Sequence, residues 1–319
     1  MTRFGFHASH EQFGPGELLD AVRAAEQAGF TAAMCSDHFA PWSARQGHSG
    51  HAWAWLGSAL ALTEFPMGVV AAPGQRYHPA VFAQAAATLA EMYPGRLWVA
   101  LGTGQALNEH ITGDPWPAKD VRERRLTECV AIVRALFDGE TVSHDGLVRV
   151  DRARLWTLPE TPPALVGAAV TPRTAAWTAS WADGFITVNQ PGDAHADALR
   201  AYRDAGGRGP ATLQAHVSWA DAEDEALANA HDQWREAIFG STVGWDIPLP
   251  EQFAEAAQFV DPEQLRPYVH VSADLAAHAA WLAAQAAHGF DQVMIHQVGR
   301  DQRGFIDAFG TWVLPELTS

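Results

Sequence analysis

Lysine is almost absent from this sequence, since Lys119 is the only one beside twenty arginines. Schiff-base catalysis and the phosphate-binding P-loop both need a lysine in a particular setting, so the sequence disfavours both. The few cations are outweighed by 37 acidic residues, which give a net charge of −16. Nucleic acids and anionic membranes bind clustered Lys and Arg, so we expect neither as a partner.

Cysteine is also scarce, and long apolar runs are missing. Cys35 and Cys129 lie in apolar stretches typical of buried thiols, so we expect no disulfide. The N-terminus carries no apolar targeting segment, and no run of about 18 apolar residues occurs. We therefore expect a soluble, cytoplasmic protein.

Histidine is plentiful, with fifteen residues, but the spacing does not indicate a metal site. No His-x-x-x-His or His-Glu-x-x-His pair falls in a predicted helix. His48 and His51 lie three residues apart in a Gly/Ser loop without an adjacent carboxylate. We expect no bound metal.

Short apolar runs alternate with helical patterns along most of the chain. Strands are predicted at 3–7, 30–34, 67–71, 96–101, 164–167, 184–188, 212–219 and 292–296. Helices are predicted at 15–28, 53–63, 79–92, 121–137, 172–181, 193–205, 222–238, 275–288 and 300–314. This alternation predicts an α/β fold, a (β/α)8 TIM barrel, with a doubly wound sheet as the alternative.

Two segments interrupt the alternation. Residues 141–160 indicate a hairpin around Asp145 and Gly146. Residues 239–267 contain aromatics and prolines without a clear period, which indicates an irregular insertion near a pocket. We expect one domain over residues 1–319 with these two excursions.

Polar side chains follow the predicted strands, where a TIM barrel carries its active site. They are His7, Ser9, His10, Glu11, Asp37, His38, Trp42, Gln75, Arg76, Thr103, Gln105, Asn108, Glu109, Thr171, Asn189, Gln190, His296, Gln297 and Arg300. The group is rich in imidazole and suits a planar polar ligand. For Asp37 and His38 a purely structural interpretation is the alternative to a functional site. In it, Asp37 caps a helix and His38 lies at the surface.

Two strand ends could bind a phosphate. Gly102-Thr103-Gly104 lacks the third glycine of a dinucleotide fingerprint, yet its backbone can approach a ligand closely. The helix beginning at Thr171-Pro172 could donate N–H groups to the same anion.

Several motifs together resemble the luciferase-like flavin and deazaflavin oxidoreductases. They are Ser36-Asp37-His38-Phe39 with Pro41-Trp42, Arg76-Tyr77-His78-Pro79-Ala80, Tyr93-Pro94-Gly95-Arg96, Gly102-Thr103-Gly104-Gln105-Ala106-Leu107-Asn108-Glu109, Ala182-Asp183-Gly184-Phe185-Ile186 and Gly299-Arg300-Asp301-Gln302. The resemblance covers most of the chain and is strongest to the branch with coenzyme F420-dependent glucose-6-phosphate dehydrogenase. The fold of that family is an eightfold barrel with insertions.

The resemblance implies roles for individual residues. His38 would take a proton from a substrate alcohol, Trp42 would flank the reacting centre, and Asp37 would contact the cofactor ring. A non-prolyl cis peptide within 69–71 would lie behind the ring. The implied catalytic set is His38, Trp42, Glu11 and Gln105, and the implied cofactor-binding set is Asp37, Val69, Val70, Ala71, Thr103, Gly104, Asn108, Ala169, Val170 and Thr171.

Departures from the family pattern change the expected substrate and cofactor. Gln105 stands where the sugar-phosphate dehydrogenases have a glutamate, and an amide cannot exchange a proton. Gln190, Glu255 and Pro267 stand where those enzymes have phosphate-binding cations, so we expect a small non-phosphorylated substrate. The scarcity of lysine and further motifs resembling a flavin-using sister group favour FMN, with coenzyme F420 as the alternative.

Three functions follow from these observations. The first is a hydride-transferring oxidoreductase that uses FMN or F420. The second is a reduced-FMN-dependent monooxygenase. The third is a flavin-binding protein with reduced catalysis, motivated by Gln105. Because related proteins are commonly dimers, we expect a homodimer.

Overall fold

The computed structural model describes residues 2–318 and contains a closed barrel of parallel strands. The strands are β1 Arg3–Ala8, β2 Ala33–Ser36, β3 Met67–Ala71, β4 Leu97–Leu101, β5 Val142–Asp145, β6 Arg149–Ala153, β7 Ala164–Ala168, β8 Gly184–Val188, β9 Ala211–Trp219, β10 His270–Ser272 and β11 Gln292–Gln297. The barrel order is β9-β11-β1-β2-β3-β4-β7-β8, and pairing of β8 with β9 closes it. The predicted (β/α)8 TIM barrel is confirmed.

Helices surround the barrel. They are α1 Pro15–Gln27, α2 Ala52–Leu62, α3 Pro79–Met92, α4 Ala106–Glu109, α5 Lys119–Phe137, α6 Pro172–Thr178, α7 Ala194–Asp204, α8 Glu223–Trp234, α9 Ser241–Gly244, α10 Pro250–Ala256, α11 Leu275–Ala287, α12 Gln302–Ala308 and α13 Leu314–Thr318. Short 3₁₀ turns occupy His110–Thr112, Pro191–Asp193, Arg235–Ile238 and Pro262–Leu265. Over residues 2–318, none of the helices has the combined length and apolarity that crossing a bilayer requires.

The sequence misplaces a few element boundaries. The second strand spans Ala33–Ser36 rather than 30–34, because regular pairing with β1 and β3 begins at Ala33. The closing helix is not continuous, since a π-helical turn at Phe309–Val313 separates α12 from α13. The short strand β10, which pairs with β9, was not predicted. Apolar content indicates burial, whereas these boundaries depend on pairing with distant segments.

The two irregular segments contain structure of their own. In the first, β5 and β6 form an antiparallel hairpin with Asp145 opposite Arg149. The second contains the short helices α9 and α10, and a separate hydrophobic cluster that includes Ala257, Val260 and Leu265. This second segment extends over the carboxyl ends of the strands and brings Phe253 to the cavity described below.

The strand pleat divides the apolar residues between two cores. Val69 packs between the barrel and the helices, in the same core as the buried free thiols Cys35 and Cys129. Val70 packs inside the barrel with Met34 and other side chains. Successive residues of a strand point to opposite faces of the sheet, so the side chains of Val69 and Val70 lie in different cores.

Trp98 fills the interior of the barrel because Gly68 leaves room for it. A Cβ atom added to Gly68 would lie only 2.0 Å from the Trp98 ring. The two residues are paired across β3 and β4. The glycine is therefore required by packing against its cross-strand neighbour.

We predict that Gly68→Ala lowers the free energy of unfolding by about 1–3 kcal/mol, because overpacking a rigid core forces backbone shifts. Denaturant-induced unfolding measures the change. Gly16→Ala is the matched control, since an added Cβ there meets nothing within 4 Å. Equal stability of Gly68→Ala and the parent protein would contradict this account of the barrel interior.

Candidate active site

A cavity of about 380 Å³ opens at the carboxyl ends of the barrel strands. Every residue assigned to the site from the sequence lines it except Val69. The lining residues among them are Glu11, Asp37, His38, Trp42, Val70, Ala71, Thr103, Gly104, Gln105, Asn108, Ala169, Val170 and Thr171. Val69 points into the helix-facing core, so its side chain does not reach the cavity.

His38 and Glu11 form a pair in the wall of this cavity. His38 Nε2 lies 3.5 Å from Glu11 Oε1, and both side chains are largely buried. Ser9 Oγ donates a hydrogen bond of 3.0 Å to the other carboxylate oxygen. Trp42 lies beside the imidazole, with ring centroids 5.2 Å apart. The carboxylate is placed to stabilise the imidazolium that forms when His38 accepts a proton.

Asn108 and Gln46 hold the loop that carries His38. Asn108 Oδ1 accepts hydrogen bonds from the backbone N–H groups of Phe39, at 2.8 Å, and Ala40, at 3.4 Å. The backbone N–H of Trp42 donates to Gln46 Oε1 at 2.8 Å. Asn108 therefore positions the loop, which leaves it less free to bind a cofactor than its family role implies.

Gln105 is partly engaged by its neighbour. Its Oε1 accepts a hydrogen bond of 3.2 Å from Asn108 Nδ2. The amide NH₂ of Gln105 is then the group available toward the cavity. An amide N–H can donate a hydrogen bond but cannot supply a proton, so no acid role is open to this side chain.

Arg76 joins two carboxylates behind the cavity. Its guanidinium lies 3.3 Å from Asp37 Oδ2 and 3.5 Å from Glu109 Oε1. Its backbone N–H also donates to Glu109 Oε2 at 2.7 Å. Burial raises the pKa of Glu109, and Arg76 opposes this shift. Sequence reasoning placed Arg76 and Glu109 after strands but did not assign them to the site, because their pairing is visible only in space.

Lys119 lies at the opposite end of the cavity, near Thr171. Lys119 Nζ donates a hydrogen bond of 2.9 Å to Thr174 Oγ1, and Thr171 Oγ1 lies 3.0 Å from the same oxygen. Arg122 lines the cavity as well. Lys119 was not predicted to lie at the site, although its being the only lysine was a usable signal.

The start of α6 offers fewer N–H donors than expected. Pro172 has no N–H, and the N–H of Thr174 already donates to Thr171 Oγ1, which caps the helix. The hydroxyl groups and the Lys119 ammonium are therefore the better anion ligands at this end.

The predicted cis peptide within 69–71 is wrong for this structure. All peptide bonds among the described residues are trans. Strand β3 remains regularly paired to its end, since the N–H of Asp37 donates to Val70 O at 2.9 Å and that of Gly102 to Ala71 O at 3.0 Å. Pairing with strands on both sides holds this segment in a normal extended conformation.

Aromatic side chains form the wall of the cavity nearest His38. Trp42 packs edge-on against Phe253, with ring centroids 5.3 Å apart. Trp234, Phe239 and Tyr268 also line this region. The aromatic residues Phe239, Trp245 and Phe253 of the 239–267 segment thus line the cavity, in agreement with the insertion near a pocket that its composition indicated.

Three buried histidines form a cluster at the cavity that we call the imidazole floor: His7 and His216 line the cavity, and His296 packs against both. The ring centroid of His296 lies 4.4 Å from that of His7 and 5.2 Å from that of His216. Burial lowers the pKa of His7 and His296 well below the ordinary value, and it lowers the pKa of His216 to about 3. All three are therefore neutral near pH 7.

One group with metal-ligand chemistry lies outside the cavity, at Asp193, His195 and His288. Both ring nitrogens of His195 already have partners there. Nδ1 accepts from the Gln190 backbone N–H at 3.2 Å, and Nε2 lies 2.7 Å from Gln285 Oε1. Binding a metal would require His195 to give up these hydrogen bonds.

Comparison with known proteins agrees with this geometry. The luciferase-like monooxygenase family matches residues 1–303. An F420-dependent glucose-6-phosphate dehydrogenase of Nakamurella multipartita is 34% identical over 99% of this chain and 96% of its own. An F420-dependent hydroxymycolic acid dehydrogenase of Mycobacterium tuberculosis is 36% identical over 98% and 88%.

A solved structure is similar over the whole fold. The F420-dependent secondary alcohol dehydrogenase in complex with an F420-acetone adduct superposes with a TM-score of 0.91 and 27% identity, covering 99% of both chains. The names of these relatives do not support the preference for FMN over F420 that the sequence suggested.

The imidazole floor predicts a pH dependence of stability. The unfolded chain protonates His216 below its ordinary pKa of 6.5, whereas the folded protein keeps it neutral down to about 3. The unfolded state binds more protons in this window, so stability is present above about pH 6.5 and is lost as the pH falls.

We predict that His216→Gln reduces this loss by about 1.4 kcal/mol per pH unit between about pH 6 and pH 4. Denaturant unfolding of both proteins across this range measures the two slopes. Above about pH 7.5 the slopes should coincide, which is the internal control. Parallel slopes at acidic pH would contradict the assignment of His216 as a buried neutral imidazole.

Proposed function

The chain belongs to the luciferase-like monooxygenase family. From this premise we propose that it is a coenzyme F420-dependent dehydrogenase, which interconverts small uncharged secondary alcohols and ketones. The observation that carries the proposal is the His38–Glu11 pair, with 3.5 Å between Nε2 and Oε1, in the cavity wall. A buried imidazole beside a carboxylate is suited to accept the proton of an alcohol.

The opposite wall fits a flat cofactor ring. Val70, Ala71, Ala168 and Ala169 line it with small apolar side chains. Gly104 has φ +84°, and a Cβ there would lie 3.1 Å from Glu109 Cγ. The backbone can therefore come close to a ligand at this point.

The far end of the cavity fits an anionic cofactor tail. Lys119 and the hydroxyl groups of Thr171 and Thr174 converge there. In the sequence the scarcity of lysine favours FMN, yet the single lysine lines this cavity. A deazaflavin carries a longer acidic tail than FMN, so this placement and the F420-dependent relatives together support F420.

The substrate side of the cavity supports an uncharged substrate. Three cations line the cavity as a whole. Arg76 is paired with Asp37 and Glu109, and Arg122 is paired with Asp246. Lys119 lies beside Thr174, at the end that we assign to the cofactor. Gln190 lines the cavity as a neutral amide in place of a cation. Without a free cation, a phosphate dianion would lose its hydration without compensation.

Each residue then has a defined task. When bound, the cofactor supplies a two-electron acceptor for the hydride of the substrate carbon. His38 accepts the hydroxyl proton, and Glu11 stabilises the resulting imidazolium. Trp42 and Phe253 exclude water from the reacting carbon, while Asn108 keeps the His38 loop in place.

The same purified protein tests the two other functions predicted from the sequence, a monooxygenase and a flavin-binding protein with reduced catalysis. A reduced-FMN monooxygenase would give a flavin–oxygen adduct absorbance when the reduced protein meets oxygen, and a binding protein with reduced catalysis would bind cofactor without turnover. The homodimer and the cytoplasmic location stay predictions from the sequence.

We predict that protein loaded with F420 reduces the cofactor in the presence of butan-2-ol, and that His38→Ala lowers kcat by about 10²- to 10⁴-fold because the base is lost. Loss of F420 absorbance follows turnover. Fluorescence titration should show that the Kd for F420 is nearly unchanged. His48→Ala, an exposed histidine of the same loop, is the matched control. Full activity of His38→Ala would overturn the proposed mechanism.

We predict that Lys119→Ala raises the Kd for F420 by about 10- to 100-fold, because a charge-assisted hydrogen bond is removed. Lys119→Arg should retain most of the affinity. Parallel titration with FMN separates the two cofactors, since F420 should bind the parent protein more tightly. Tighter binding of FMN, or unchanged F420 affinity in Lys119→Ala, would refute the cofactor assignment.

A further inference from the structure

His7 is a buried polar side chain that the proposed reaction does not use. It lies on β1 with 2% of its surface exposed, and its ring lines the cavity. Its Nδ1 atom has no hydrogen-bond partner among residues 2–318. Buried polar atoms in native proteins are normally paired, so an unpaired one on a ring that lines a cavity points to a ligand reached when the ring turns.

The neighbours of His7 show that the imidazole floor is otherwise a built network. Gln214 Nε2 lies 3.2 Å from His216 Nε2 and 3.5 Å from His296 Nδ1. His296 Nε2 lies 2.9 Å from Gln12 Oε1. Each of the other two imidazoles thus lies within hydrogen-bond distance of a glutamine, whereas His7 Nδ1 has no such partner among the described residues and the His7 ring lies tilted by 43° against that of His296. A ring without such a hydrogen bond can turn over and present either nitrogen to the cavity.

The chemistry of the floor selects the kind of group that would bind. Burial lowers the pKa of His7, His216 and His296 and keeps them neutral near pH 7, and the neighbouring His216 lowers the pKa of His7 further. A neutral imidazole can donate and accept hydrogen bonds, but it offers no charge to a carboxylate or phosphate. The matching partner is an uncharged oxygen, such as a hydroxyl or a carbonyl.

We propose that His7 binds a second, uncharged oxygen of the substrate, so that the preferred substrates are secondary alcohols that carry another hydroxyl or carbonyl group. This inference rests on the proposed function, because it places the first oxygen at His38. Both residues line the same cavity. The floor would then select substrates, while the His38–Glu11 pair carries out the proton transfer.

The second oxygen of such a substrate takes no part in the bond changes of the reaction. In butane-2,3-diol, one carbinol carbon loses its hydride, with two electrons, to F420, and the hydroxyl proton passes to His38. A C=O bond forms, and the product is 3-hydroxybutan-2-one. The second hydroxyl remains intact, since it only accepts or donates a hydrogen bond at His7.

A substrate series on the F420-loaded protein tests this assignment. We compare kcat/KM for butan-2-ol, butane-2,3-diol and pentane-2,4-diol, which differ in the presence and the distance of the second hydroxyl. The parent protein should prefer at least one diol by about 10-fold or more, as expected for one buried hydrogen bond. In His7→Phe this preference, measured as the ratio of kcat/KM for diol to that for butan-2-ol within the same variant, should fall to about one.

Two further measurements separate a specific role from a structural one. His7→Gln, which keeps a hydrogen-bonding side chain, should restore part of the diol preference. Binding of the diol to the F420-free protein, followed by quenching of tryptophan fluorescence from Trp42 and Trp234 in the cavity wall, should weaken in His7→Phe by a similar factor. This readout does not depend on turnover.

The outcomes are distinct. If the parent protein oxidises butan-2-ol and both diols equally well, or if His7→Phe keeps the diol preference, His7 faces only an ordered water and the inference fails while the proposed function stands. If no alcohol reduces F420 in either protein, the proposed function itself fails. A diol preference lost in His7→Phe and partly restored in His7→Gln supports the inference.

Discussion

The buried guanidinium of Arg76 is the interaction on which the site depends. It stands between Asp37, which follows β2, and Glu109, which lies in α4 after β4. Arg76 itself follows β3, so one side chain ties together the ends of three neighbouring strands. Removing one partner from a buried ion pair costs about 3–5 kcal/mol, because the other charge is left unpaired. The loop that presents His38 is therefore anchored to the barrel by electrostatics as well as by packing.

Charge is distributed unevenly along the cavity, and this distribution separates cofactor from substrate. The cations Lys119 and Arg122 lie at one end, near Thr171. Neutral imidazoles also line the cavity, among them His216, whose pKa is lowered to about 3 by burial. A ligand with an anionic tail is stabilised beside the cations, and an uncharged oxygen is matched to the imidazoles. His38 lines the same cavity.

Much of the site was predictable because a parallel barrel brings all strand ends to one face. Once the strands were recognised, the side chains that follow them, such as Glu11, Asp37 and Gln105, had to converge. The Val69 side chain faces the helices because of the pleat, so within 69–71 only Val70 and Ala71 line the cavity. Arg76 was placed after a strand, but its pairing with Glu109 was not predicted, nor was the position of Lys119 beside Thr174, because these partners are distant in sequence.

The sequence by itself determined the alternation of strands and helices, and with it the barrel, because apolar periodicity is a local property of the chain. It also determined that lysine chemistry is excluded almost everywhere. Only the tertiary structure decided that the single lysine lines the cavity and that His7 Nδ1, buried in its floor, has no hydrogen-bond partner within residues 2–318. Hydrogen-bond pairing and burial depend on residues far apart in sequence, so no local pattern records them.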